Sequence, residues 1–86
     1  MDKLSTVGIG DQVYLTEGGE EFGAVREVER ATNEIVIYVE NAGDFTVSAE
    51  AIHSAHDGKV ILDRSRLDER LSRAIARAHE REEPGL

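Results

Sequence analysis

Over the first 62 positions the apolar residues fall in short runs broken by turn-forming residues, and beyond them the spacing changes to that of a helix. Residues 12–16, Gln-Val-Tyr-Leu-Thr, form the first predicted strand, closed by a glycine turn at 17–20. A second strand spans residues 22–29. Its valines, Val25 and Val28, are three apart and would face opposite ways on a regular strand, so a bulge near Arg26-Glu27 is expected to return them to one face. After a turn at 31–33, residues 34–40 carry the strongest strand signal, four β-branched residues and a tyrosine between two glutamates. Asn41-Ala42-Gly43-Asp44 turns the chain into a strand at 45–48, and residues 49–52 suit one helical turn. Asp57-Gly58 then marks a hairpin in which both turn positions need positive φ, with residues 59–62 as the returning strand. Five or six short strands with no helix between them predict a small antiparallel β-barrel over residues 1–62.

Residues 63–86 follow another period. Leu67, Leu71, Ala74, Ile75 and Ala78 fall on one arc of a helical wheel, and Arg66, Arg70, Arg73, Arg77 and Arg81 on the neighbouring arc. Ser65 with Asp68 offers a capping box at the start and Pro84-Gly85 a stop, which predicts an amphipathic helix of about five turns. The helix and the barrel together make one domain, the helix packing on its own barrel or on a partner.

The body resembles the PRC-barrel superfamily and its small stand-alone bacterial relatives. The matching features are Gly10-Asp11-Gln12-Val13-Tyr14, then Glu20-Glu21-Phe22-Gly23-Ala24-Val25 after a glycine turn. A β-rich middle follows, and then Val47-Ser48-Ala49-Glu50-Ala51-Ile52. The likeness covers roughly residues 8–62 and leaves the helix outside. It implies a non-catalytic barrel of the kind found in the photosynthetic reaction centre H subunit and in a ribosome maturation factor, where the module contacts other proteins.

Charge sharpens this picture. The chain has 86 residues and a net charge of −8, and its first 62 residues carry all of the excess acid. The remaining stretch holds six arginines and six acids. An acidic body joined to a helix with aligned arginines suggests docking. Arg66–Arg70, Arg73–Arg77 and Arg77–Arg81 are like-charge pairs at four-residue spacing, which weaken an isolated helix and call for carboxylates from elsewhere. Nucleic acid is a poor fit, because the body would repel phosphates and the few aromatics sit at strand positions suited to core packing. There is no cysteine, no apolar run long enough to span a bilayer and no signal-peptide pattern at the N-terminus, so a soluble cytoplasmic protein is expected.

These features favour a non-enzymatic interaction or assembly module, expected to be a homodimer. Leu67, Leu71 and Ile75 would supply burial and Arg70, Arg73 and Arg77 electrostatic specificity. The alternative is a small-ligand or metal sensor built on the His53–His56 hairpin, with Asp57 and His79 as further donors. Histidines three apart on a strand point to opposite faces, which argues against a metal site there. No nucleophile elbow or catalytic spacing stands out, no cofactor is implied, and Gly8-Ile9-Gly10 lacks the strand and helix a dinucleotide loop needs.

Overall fold

In the computed structural model, which describes residues 3–16 and 19–80, the alternation of residues 34–39 becomes an interior strand of a sheet. Ile35, Ile37 and Val39 are fully buried while Val36 and Tyr38 face outward. The strands are β1 (Gln12–Leu15), β2 (Gly23–Glu29), β3 (Glu34–Val39), β4 (Gly43–Ser48), β5 (Ile52–His56) and β6 (Lys59–Leu62). They form one sheet in the order β4-β3-β2-β1-β6-β5.

Two features correct the expected antiparallel barrel. β1 pairs with β6 in parallel, Val13 opposite Val60 and Leu15 opposite Leu62, so the sheet is mixed. The outer strands β4 and β5 are joined by a 3-10 turn, Ala49–Ala51, but do not pair with each other, so the sheet is open. Composition and spacing favour hairpins between neighbours. The β1–β6 ladder joins segments more than forty residues apart in sequence, and no local signal announces it.

The bulge forms where the valine spacing demands it. The register between β2 and β3 shifts between Val25 and Glu27, which sets Val25 opposite Ile37 and Val28 opposite Ile35, all on the core side. Gly23 is required for a different reason. A Cβ there would collide with the Tyr38 carbonyl oxygen of β3, so any side chain would force the two strands apart. The Asp57-Gly58 turn has φ of 53° and 76°, the positive pair expected of the hairpin.

Below the sheet, an N-terminal 3-10 turn, Lys3–Thr6, inserts Leu4 into the core, and the Thr6 hydroxyl donates to the Ala55 carbonyl at 2.6 Å. Helix α1 (Glu69–Glu80) covers the same core, next to β3. It starts later than the periodicity suggests. Asp63 Oδ1 accepts bonds from both the Ser65 N–H and its hydroxyl, which draws residues 64–66 into a 3-10 turn, and Leu67 is extended. This is a local carboxylate competing with the helix for backbone donors. Asp68 is the true cap, accepting the Leu71 N–H at 2.8 Å. The predicted stop at Pro84-Gly85 lies outside the described residues, as does part of the turn at 17–20.

Candidate docking groove

The apolar face of α1 is consumed by its own fold. Leu71, Ala74, Ile75 and Ala78 are buried in the same cluster as Val25, Ile37 and Leu62, and Leu67 is partly buried against it. The helix therefore packs on its own sheet. Of the residues singled out for contact with a partner, Leu71 and Ile75 stabilise this fold, while Arg70, Arg73 and Arg77 are exposed. Arg66 sits in the preceding 3-10 turn, and Arg81 lies outside the described residues.

These three arginines line an open groove of about 650 Å³ between α1 and the β3–β4 turn. Asn41, Ala42 and Phe45 form the sheet side, and Glu69, Arg70, Arg73, Ala74 and Arg77 the helix side. The turn is made possible by positive φ at Asn41 (67°) and Gly43 (101°), which lets the chain reverse beside the helix. The arginines differ in how they are held. Arg73 Nη2 donates to Glu69 Oε2 at 2.8 Å, one helical turn back, with both side chains largely in solvent. Such a pair contributes on the order of 0.3–0.5 kcal/mol. Arg70 lies with its guanidinium 5.4 Å from the centre of the Phe45 ring, a cation–π contact rather than an ion pair. Among the described residues Arg77 makes no ion pair. Among the described residues the groove thus combines an apolar floor with three cations against one carboxylate, in a chain of net charge −8.

Sequence spacing finds the arginines but not Asn41, Ala42 or Phe45. Phe45 reads as an ordinary core aromatic, and only its position beside α1 shows that one side of the ring meets Arg70.

A second hollow, of about 250 Å³, is lined by Glu50, Ile52, His53, Asp63 and Arg66. His53 reaches it because a register shift between Ile52 and Ser54 makes a bulge in β5. The Asp63 carboxyl is held below the usual aspartate range by its two bonds from Ser65, with smaller help from Arg66 and His53. His56 lies at the hairpin end, opposite Lys59. Among the described residues no three His, Cys, Asp or Glu side chains gather as metal ligands would. The His79 side chain lies outside what is described.

Comparison with family models, with curated proteins and with solved structures finds no match to this chain. No helix among the described residues is long and apolar enough to cross a membrane.

Proposed function

We propose that this protein is a non-enzymatic interaction and assembly module whose groove at Arg70, Arg73 and Arg77 docks a carboxylate-rich protein surface. The observation that carries this reading is the state of the arginines. Three guanidinium groups share one groove in an acidic molecule, and among the described residues only Arg73 has a carboxylate partner there. Guanidinium forks carboxylates in a planar geometry, and the Phe45–Ala74 floor gives an apolar neighbour to such a contact. Nucleic acid competes poorly as the occupant, since the surrounding charge of −8 repels a polyanion over its whole length.

A proton-transfer role has little to build on. Among the described residues no polar or charged side chain is buried, and burial is the usual means of tuning a catalytic acid or base. The resemblance to PRC-barrel modules, which contact other proteins, points the same way.

A fluorescent polyglutamate peptide tests the reading directly. Binding should weaken as salt rises, and Arg73→Gln/Arg77→Gln should lower affinity about tenfold, the scale of two exposed ion pairs. Binding that is absent, or unaltered by the double substitution, would overturn it.

A further inference from the structure

The sheet carries a second charged feature that no ion pair among the described residues balances. Glu29 at the end of β2 stands directly opposite Glu34 at the start of β3, and Glu27 lies on the same two strands. Like charges placed opposite each other weaken a strand pair. The crowding is visible in Glu29, whose carboxyl is raised above the usual glutamate range, first by sharing a hydrogen bond with Glu27 and by its charge, and further by Glu34. Of the nearby cations, Arg26 is engaged with Asp44 at 3.6 Å and Arg30 donates to the Leu4 carbonyl at 3.4 Å.

Register decides where this cluster faces. Val28 and Ile35 point into the core, so Glu29 and Glu34 point to the opposite side of the sheet. Phe45 pairs with Ile37, which is inward, and α1 packs on that inward side. The arginine groove and the glutamate cluster therefore lie on opposite faces of one sheet and cannot meet within a single chain.

We infer that the occupant of the groove is a second copy of this chain, presenting Glu27, Glu29 and Glu34 to Arg70, Arg73 and Arg77; this rests on the docking reading above. Charge complementarity supports this: among the described residues the groove sets three arginines against one carboxylate, and no ion pair engages Glu27, Glu29 or Glu34. Because the two surfaces face opposite ways, one pair of molecules cannot satisfy both contacts at once. The contact is head-to-tail, and repeated copies give a ring or an open chain rather than a two-fold dimer.

Sedimentation velocity over a range of concentrations at low salt, with neutralised variants, tests this. The variants are Arg73→Gln/Arg77→Gln, with the groove disabled, and Glu27→Gln/Glu29→Gln, with the cluster disabled. All substituted side chains are exposed, and a thermal melt of each variant confirms that it folds. The unaltered chain should show a mass that rises with concentration, and each variant alone should be monomeric. A mixture of the two variants should give a 1:1 dimer that grows no further, since one intact groove meets one intact cluster. An unaltered chain that stays monomeric while still binding polyglutamate would overturn the self-docking and leave the docking reading standing. Association undiminished by Glu27→Gln/Glu29→Gln, or a mixture that stays monomeric, would also overturn it.

Discussion

The two faces of helix α1 are held by different forces. On the inner face Leu71, Ala74, Ile75 and Ala78 are covered on all sides by side chains of the same molecule. On the outer face Arg70 rests on a ring, Arg73 holds an exposed glutamate and Arg77 has no ion-pair partner among the described residues. Burial is non-directional and scales with the area removed from water, so the inner face is satisfied by any close-packed surface, and the nearest is its own sheet. Charge in water gains little from a single exposed partner. The outer face keeps its capacity for an outside one. With the docking proposed for the arginines, stability and recognition are separated across one helix, and substitutions on the two sides should behave as different classes.

The largest effect belongs to the inner side. Leu71→Asp removes a core leucine, a change that costs about 2–5 kcal/mol even with alanine, and adds a charge with no partner. A chain of this length has on the order of 4–13 kcal/mol in all. Loss of the cooperative thermal transition followed by circular dichroism is expected. Gly23→Ala should come close to it, because the Tyr38 carbonyl leaves no room for a methyl group between β2 and β3. A parent-like melt of Leu71→Asp would contradict burial of that face, and one of Gly23→Ala the close approach of β2 and β3.

Next comes the cap at the junction of the two faces. Asp68→Ala removes the acceptor for the Leu71 N–H and should cost about 1 kcal/mol, or roughly 4–8 °C in Tm for a domain of this size. Urea unfolding gives the free energy directly. Ser65→Ala should cost less, since Ser65 serves the preceding turn and not the helix.

The outer face follows with a small effect on folding and a clear one on binding. Arg73→Gln/Arg77→Gln should hold Tm within about 4 °C of the parent, as expected of exposed positions, while polyglutamate affinity falls. A large drop in Tm would mean that the arginines belong to the fold after all.

Smallest is Glu29→Gln, measured at protein concentrations too dilute for association. The folded-state pKa of Glu29 lies above its ordinary value, so its proton is bound more tightly in the folded chain. Its contribution favours folding below the ordinary glutamate range, and is lost as pH rises through the folded pKa. Removing the carboxylate should raise Tm slightly at pH 7, and the gain should vanish in acid below about pH 4.5. A gain that persisted in acid would show that Glu27 and Glu34 do not crowd it.

Much of this molecule is legible in its residues wherever the controlling interaction is local. The β2 bulge follows from an odd valine spacing, the I′-like turn from Asp57-Gly58, and the inner face of α1 from the 3.6-residue period. Spacing misplaces the helix start, because Asp63 and Asp68 offer competing acceptors that it does not rank. It could not place Asn41, Ala42 and Phe45 in the groove, since those residues join the arginines only through packing.

The sequence by itself determined the strands, their turns, the amphipathic helix and the division of charge, because each rests on backbone preference or periodicity within a few residues. Tertiary structure alone decided that β1 lies parallel to β6, that the sheet stays open, and that α1 covers its own core. It also decided that arginines and glutamates end on opposite faces. Those outcomes depend on which distant segments exclude water together and on the parity of strand register across the sheet, and neither is written in any local run of residues.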